Sequence, residues 1–336
     1  TFCGLYLLRD GPGAVLANLG FATEMAERMI AATGIGPQRM GRVDVLPQHP
    51  VEFARIADEL VTAESTLNLS LHTELLSVVS GNDIWELILG HRSGQTKISA
   101  KVLVDASGDA VVAGLMDGNR VAMTESPRLQ RPAYLFGIGG LSDFDDVARL
   151  VTSGWLVEGV RKGEISRGAL GLSFRASGRV SEVFGSLDLT GGESAADYNP
   201  LDPQCLTRLE IEGRRIASEV VAFLKTKVDL WKAAYVSHWP IRAGVRESRR
   251  WIGEYVLTGD DLLTGRRFDD EIALATWPME FRENAKGPKL RYPIDNKPCG
   301  IPLRCLKPLG TERLFVAGRC LSADHDAQAS IRVMGT

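Results

Sequence analysis

Apolar and polar residues follow each other along this chain with two different periods. Spacing near 3.6 residues predicts longer helices over residues 14–32, 50–63, 143–162 and 205–225. Shorter helical stretches are predicted over residues 110–116 and 260–263. The segment Ala329-Ser330-Ile331-Arg332 is typical of the start of one more helix.

A period of two residues, or a short apolar run, indicates strands. Residues 67–72 alternate strictly between leucine and a polar residue, which predicts a strand. A β-meander is predicted over 75–79, 84–89 and 97–99, with turns at Gly81-Asn82 and Ser93-Gly94. Further strands are predicted over 102–105, 133–141, 184–189 and 314–317. Residues 251–257 fit either a strand or the end of a helix.

This succession of elements predicts an α/β protein. Features typical of nucleotide binding lie near both ends of the chain, so the middle is interpreted as an insertion. We therefore expect one discontinuous domain over residues 1–116 and 300–336. An α+β domain inserted over residues 117–299 would carry the substrate.

Composition narrows the classes of function. The 336 residues carry a net charge of -3, which gives no electrostatic case for nucleic-acid binding. No apolar run approaches the roughly 20 residues of a membrane span. The five cysteines are scattered without disulfide or metal-site spacing, which favours a cytoplasmic location and no metal site. Thr1 in place of a starting methionine, and the end at Thr336, suggest a chain truncated at both ends.

Two junctions between a strand and a helix carry candidate chemistry. Residues 102–109 run from a strand through small residues to Asp109, which we expect to cap the following helix. The alternative is an ordinary turn without a ligand. After the strand at 314–317 come Gly318, Arg319 and later Arg332, whose charges suit a pyrophosphate or an anionic flavin. The alternative there is a surface loop with solvated arginines.

The segment from Trp239 to Trp251 holds four arginines within nine residues, beginning at Arg242. Such density predicts a wall that binds a carboxylate, or else a solvated basic face paired with Glu247 and Glu254. His325 and His238 lie near these segments and are candidate proton donors, although a lone loop histidine is often structural.

One cysteine and several missing motifs complete the candidate chemistry. Cys320 follows Arg319, whose charge is expected to lower the pKa of the thiol. The sequence contains no Gly-x-Gly-x-x-Gly fingerprint, no P-loop and no Gly-x-Ser-x-Gly motif.

Several segments together resemble a known family. Val104-Asp105-Ala106-Ser107-Gly108-Asp109-Ala110 resembles an FAD-contacting Asp-Ala-Thr-Gly-Asp motif, with serine for threonine. Residues 206–215, 245–258, 301–306 and 314–334 resemble further segments of the same family. The chain thus resembles the FAD-dependent oxidoreductases related to succinate dehydrogenase and fumarate reductase flavoproteins, over nearly its whole length.

The resemblance implies a glutathione-reductase-like FAD-binding domain. Residues placed against FAD by the resemblance are Leu75, Ala106, Ser107, Gly108, Asp109, Gly318, Arg319, Ser330, Ile331, Arg332 and Val333. The glycine loop that grips the pyrophosphate in this fold is absent from the chain, and so is the acid that binds the ribose. The chain as given is therefore expected to bind FAD weakly or not at all, and a longer parent protein to bind it well.

The expected function is transfer of a hydride or electrons between FAD and a small, anionic organic substrate. Arg246 and Arg249 are expected to hold the anionic group, and His325 or His238 to handle a proton. One alternative is a non-catalytic flavoprotein-like remnant that serves as a binding module. Another, a nicotinamide-linked dehydrogenase, is disfavoured because its nucleotide fingerprint is missing.

Overall fold

Helices and short strands follow one another through this computed structural model, which describes residues 3–116, 120–125, 128–189, 198–283 and 287–336. The helices are α1 (Phe21–Thr33), α2 (Pro50–Ala63), α3 (Val111–Leu115), α4 (Asp146–Arg161), α5 (Pro203–Lys227), α6 (Gly259–Thr264) and α7 (His325–Ile331). The strands in the first half are β1 (Gln38–Met40), β2 (Val43–Val45), β3 (Glu74–Ser80), β4 (Trp85–His91), β5 (Gly94–Ala100), β6 (Leu103–Asp105), β7 (Val121–Ala122) and β8 (Ala133–Gly139). The later strands are β9 (Leu172–Ala176), β10 (Glu182–Asp188), β11 (Tyr235–His238), β12 (Arg250–Trp251), β13 (Glu271–Ala275), β14 (Met279–Phe281), β15 (Lys289–Arg291), β16 (Cys299–Pro302) and β17 (Leu314–Val316).

The largest sheet is antiparallel, with the strand order β11-β8-β10-β9. Helix α5 packs on it because leucine, isoleucine and valine recur at helical spacing along one face of the helix. Together with α4 they enclose a core whose buried members all lie between residues 129 and 243. Within this core the Trp231 indole donates a hydrogen bond to Thr152 Oγ1 at 3.1 Å.

A second core joins distant parts of the chain. Its buried members come from residues 78–113 and 251–331. The predicted β-meander is confirmed as the three-stranded sheet β3-β4-β5. Strands β6 and β17 pair in parallel, and the Ala317 N–H donates to the Asp105 carbonyl at 3.1 Å. The two predicted junction loops therefore leave the same edge of this parallel pair.

The first predicted helix begins seven residues later than expected. Helix α1 begins at Phe21 instead of residue 14, because residues 14–17 pair with the segment before them. The Leu7 N–H donates to the Val15 carbonyl, and the Ala17 N–H donates to the Leu5 carbonyl. Gly20, with φ at +73°, then turns the chain into the helix.

The alternation at residues 67–72 wrongly predicted a strand. The segment is irregular, and Leu67, Leu69 and Leu71 are all exposed. A strand requires a neighbour that supplies its hydrogen bonds, and no strand in the described ranges pairs with this segment. Alternation alone therefore does not secure a strand.

The other predicted elements agree with the structure to within a few residues, apart from two. The final helix begins at His325, where the Asp324 side chain accepts from the Ala327 N–H, and it ends at Ile331 instead of starting near Ala329. In residues 251–257 only Arg250–Trp251 forms a strand, paired with β7. The remainder is irregular.

Alanine substitutions at two helical glycines are expected to change the free energy of unfolding in opposite directions. A Cβ added at Gly213 of α5 would lie 2.5 Å from the buried Tyr134 ring, whereas one added at Gly154 of α4 would meet nothing within 4 Å. Gly213→Ala is expected to destabilise the protein by about 1–3 kcal/mol through overpacking. Gly154→Ala is expected to stabilise it by about 0.5–1 kcal/mol, because alanine loses less entropy in a helix.

Urea unfolding of both variants beside the wild type measures these changes. Equal unfolding midpoints for Gly213→Ala and Gly154→Ala would contradict the close packing of α5 against β8.

Candidate functional site

A cavity of about 790 Å³ lies beside the end of β17. The N-terminal segment and α1 contribute apolar side chains to it, including Leu5, Phe21 and Met25. The segments on either side of α7 complete the wall. Six residues predicted for function line this one cavity: Arg246, Gly318, Arg319, Ile331, Arg332 and Val333.

Gly318 presents bare backbone to this cavity. Its φ is +75°, a conformation that glycine adopts at little cost, and a Cβ at this position would meet nothing within 4 Å. The residue lies two positions after the end of β17. Open space above a glycine at the carboxyl end of a parallel strand allows a ligand to approach the backbone closely.

The predicted loop after β6 is held against Arg319. The Asp109 carboxylate accepts from Arg319 Nη2 at 2.8 Å and from Ser248 Oγ at 2.5 Å. The expected helix cap at Asp109 is therefore wrong, because its carboxylate is engaged by these two partners. The N-cap position of α3 is Ala110, and the first helical N–H, that of Val111, donates to Ser107 Oγ at 3.0 Å.

Asp105 is the buried acceptor that orders this loop. Its Oδ1 accepts from Ser107 Oγ at 2.6 Å, and its Oδ2 accepts from the Trp251 indole at 2.9 Å and the Val112 N–H at 3.3 Å. The side chain thus fixes the backbone that carries Ala106 and Gly108. Neither of these two residues lines the cavity.

A buried ionic cluster forms the wall behind Arg246 and Arg332. The Asp188 carboxylate accepts from Arg246 Nη2 at 2.8 Å and from Arg282 Nη1 at 2.5 Å. Arg282 Nε also donates to Glu280 Oε1 at 2.6 Å. Arg332 Nη2 donates to the Glu280 carbonyl at 3.1 Å, while its buried Nε has no partner among the residues described.

The charges of this cluster do not cancel within the described chain. The three guanidinium groups of Arg246, Arg282 and Arg332 face the two carboxylates of Asp188 and Glu280. Burial opposes ionisation of Glu280, but the charges of Arg282 and Arg332 outweigh it and lower its pKa to about 2. Burial, reinforced by the charge of Arg246, lowers the pKa of Arg332 to about 10. The wall therefore offers net positive charge to the cavity.

The His325 ring lies between two carboxylates. Its Nδ1 is 3.0 Å from Glu247 Oε2, and its Nε2 is 3.0 Å from Glu283 Oε1. Burial disfavours the imidazolium, but the hydrogen bonds to both carboxylates and the charge of Glu247 outweigh it. The pKa of His325 consequently lies above its usual value.

Glu247 is the buried partner in this second network. Its carboxylate accepts from Arg250 Nη1 and Thr124 Oγ1 at 2.5 Å each and from the Gln130 N–H at 3.1 Å. Burial alone would raise the pKa of Glu247, yet the bonds from His325 and the charge of Arg250 hold it below the usual range. The arginine-rich segment is thus partly buried and bonded, not a solvated face.

The remaining predicted residues lie outside the cavity lining. His238 forms a separate cluster, with Nδ1 3.2 Å from Ser237 Oγ and 3.6 Å from Glu182 Oε1. Arg249 Nε donates to the Asp109 carbonyl at 3.1 Å. Ser330 Oγ donates to the Trp277 carbonyl at 2.5 Å, and Leu75 packs at the edge of the second core.

The expectation for Cys320 is wrong. Its side chain is completely buried, and burial raises the pKa of the thiol despite the nearby charge of Arg319. Desolvation of a thiolate outweighs one neighbouring cation here.

Sequence reasoning missed Asp188, Glu280 and Arg282. They lie 58, 34 and 36 positions from Arg246, so no local spacing connects them. One signal is that Asp188 lies between two leucines in a predicted strand, where a buried acid requires a partner.

Two further observations concern membranes and metals. None of the helices in the described ranges is both long and apolar enough to cross a membrane. The described side chains also include no group of three or more histidine, cysteine or acidic residues placed to hold a metal ion.

Comparison with solved structures finds weak similarity to a monooxygenase and a hydroxylase. One is p-nitrophenol 4-monooxygenase from Pseudomonas putida DLL-E4, with a TM-score of 0.37 and 11% identity over 76% of this chain and 54% of that one. Another is anhydrotetracycline hydroxylase from Streptomyces rimosus, with a TM-score of 0.38 and 10% identity over 70% of this chain and 43% of that one. This chain therefore spans about half the length of those proteins. Among curated proteins, none matches.

A family model covers the sequence completely. The model, described as FAD dependent oxidoreductase, matches residues 1–336. The residues that gather at the cavity belong to segments that this match includes. The chain belongs to the FAD dependent oxidoreductase family.

Proposed function

We propose that this chain forms part of an oxidoreductase that uses FAD to act on a small, anionic organic molecule. FAD would occupy the 790 Å³ cavity beside Gly318. When bound, FAD supplies the hydride or electron transfer. The observation that carries the proposal is the net positive wall of Arg246 and Arg332 beside open glycine backbone.

The residues present fit such a cofactor in two respects. The cavity combines apolar side chains from α1 with a small number of polar groups, as ligand sites commonly do. The buried Nε of Arg332 lacks a protein partner within the described ranges, and a flavin oxygen or phosphate oxygen is an acceptor that suits it. Arg319 adds a third guanidinium to those of Arg246 and Arg332 in the lining.

The chain's own residues would bind and orient the cofactor. We propose that Arg246 and Arg332 bind negative charge, and that the Gly318 backbone allows close approach. Further contacts to FAD would come from the loop at the same edge of the parallel pair, from Ala106, Ser107, Gly108 and Asp109. Arg249 supports this loop, because it donates a hydrogen bond to the Asp109 carbonyl. Leu75 and Ser330 remain predicted contacts.

His325 would hold a proton near this site. Its ring contacts buried Glu247 on one side and partly exposed Glu283 on the other. This arrangement favours a retained proton with a route through Glu283 to solvent. His238 remains a second proposed proton donor, in the separate cluster with Glu182.

We also propose the finer features of the fold. The parallel pair β6-β17 with the meander suits a glutathione-reductase-like FAD-binding domain related to the succinate dehydrogenase and fumarate reductase flavoproteins. The core confined to residues 129–243 would be the inserted substrate unit, with its second boundary nearer residue 243 than residue 299.

Gly318→Ala tests the position of the cofactor. The alanine would place a methyl group in the cavity at φ +75°, so the FAD dissociation constant is expected to rise at least tenfold, or about 1.4 kcal/mol. Gly34→Ala is the matched control, because Gly34 has φ +70°, is equally open and lies outside the cavity lining. Both variants carry the same backbone strain. Titration of FAD fluorescence measures the affinity.

The titration tests both the position of the cofactor and the ability of this chain to bind it. Equal FAD affinities in Gly318→Ala and Gly34→Ala would place the cofactor elsewhere. Absence of FAD binding to the unaltered chain at about 50 µM would contradict a cofactor site formed by these residues alone.

His325 makes folding stability depend on pH. Because its pKa is raised in the folded state, its ionic contribution is complete below the unfolded-state pKa and is lost as pH rises through the folded-state pKa. The melting temperature of the wild type should exceed that of His325→Gln most at low pH, and the gap should shrink as pH rises. The thermal melts should be run from about pH 5.5 upward. At these pH values Glu247 is ionised in the unfolded state, and also in the folded state, where its pKa is lower still.

His91→Gln provides the control for this series. The His91 ring bonds only to Thr96 and Ser93 near the β4-β5 hairpin, so its effect on the melting temperature should not vary with pH in the same way. A gap for His325→Gln that stays constant with pH would show that the imidazole is not held in its charged form.

A further inference from the structure

A second and larger cavity, of about 1100 Å³, lies on the other side of the ionic cluster. No residue lines both cavities. Glu280 and Arg282 line the second cavity, whereas Arg246 and Arg332 line the first. Asp188 bridges Arg246 of the first cavity and Arg282 of the second. The ionic cluster therefore forms the wall between the two cavities.

Much of the second cavity is apolar. Phe144 and Phe174 contribute from the side of the four-stranded sheet, and Trp277 and Tyr292 contribute from the opposite side. Phe144 and Phe174 pack edge to face with ring centroids 5.4 Å apart. Such walls bind an aromatic or aliphatic body by excluding water from it.

Arginines in this cavity are mostly neutralised by the protein. Five line it, and four of them have a carboxylate within 4 Å. These pairs are Arg39 with Asp44 at 2.7 Å, Arg149 with Asp146 at 2.5 Å, Arg179 with Glu52 at 3.6 Å, and Arg282 with Asp188 at 2.5 Å. The lining acid Glu182 is engaged by His49 at 3.1 Å, and the lining acid Asp143 is exposed.

Arg175 is the exception in this set. It lies half-buried on β9, opposite Phe184 of β10, and has neither a hydrogen bond nor an ion pair within the part of the chain that is described. Its charge reaches the buried Cys3 thiol across the cavity lining. A half-buried guanidinium without a counterion, set among aromatic rings, suits an external carboxylate that it can bind with two hydrogen bonds.

We propose that the second cavity binds a monocarboxylate with an apolar body, and that Arg175 is its carboxylate ligand. This inference goes beyond the proposed function, because the site lies apart from the cofactor cavity and its ligand is distinct from the molecule that exchanges a hydride or electrons with FAD. The carboxylate would pair with Arg175 while the apolar body lies against Trp277 and Tyr292. The Asp188 cluster separates this ligand from the cofactor cavity.

Isothermal titration of the purified chain with sodium benzoate tests the inference. Benzoate binding should give a measurable heat change. The neutral analogue benzyl alcohol should bind at least tenfold more weakly. Arg175→Gln should weaken benzoate binding at least tenfold without changing the affinity for benzyl alcohol, and Arg175→Lys should restore part of it. Arg149→Gln is the matched control, because Arg149 lines the same cavity but already pairs with Asp146.

Failure of this inference can be told apart from failure of the proposed function. Undetectable benzoate binding to the wild type, or equal benzoate affinity in wild type and Arg175→Gln, overturns the role of Arg175. FAD titration of the same samples is independent of that result. A sample that binds FAD at the Gly318 cavity but does not bind benzoate keeps the proposed cofactor site and removes the proposed carboxylate site.

Discussion

The pairing of Asp188 with two arginines is the interaction on which the rest of the structure depends. It joins the end of β10, the arginine-rich segment and Arg282 directly after β14, which are far apart in sequence. Loss of one partner from a buried ion pair leaves an uncompensated charge and costs about 3–5 kcal/mol. Both cavities border on this cluster, so their shape and charge depend on it directly.

A second constraint orders the opposite side of the first cavity. Strands β6 and β17 run in parallel, so their carboxyl ends deliver two loops to one edge. Asp105 collects hydrogen bonds from its own loop and from Trp251, and Asp109 anchors Arg319. Small residues at this edge leave backbone accessible, while the acids beneath it keep the loops in place. The combination explains why Gly318 can remain open without its loop losing support.

Much of this arrangement could be predicted from sequence because it is local. Helical spacing located α2, α4 and α5, and the turn residues located the meander. Local reasoning was wrong where pairing partners were distant or absent, as at residues 14–17 and 67–72. Motif resemblance led to Gly318, Arg319 and Arg332, which do line one cavity. Asp188, Glu280 and Arg282 could not be linked to Arg246, since only the tertiary fold brings their charges together.

The shared ionic wall has an electrostatic consequence for ligand binding. In the described residues, the cluster contains three arginines and the two carboxylates of Asp188 and Glu280, so the cluster itself carries an excess positive charge. Burial and the neighbouring Arg246 already lower the pKa of Arg332 to about 10, which means that its charged form is held against opposition. An anion entering the first cavity would relieve that opposition and raise the pKa of Arg332. By linkage, the relief itself contributes to binding of the anion. The buried positive charge of these arginines thus opposes folding of the protein by itself but stabilises a complex with an anion. A buried wall with excess positive charge therefore suits an anionic ligand.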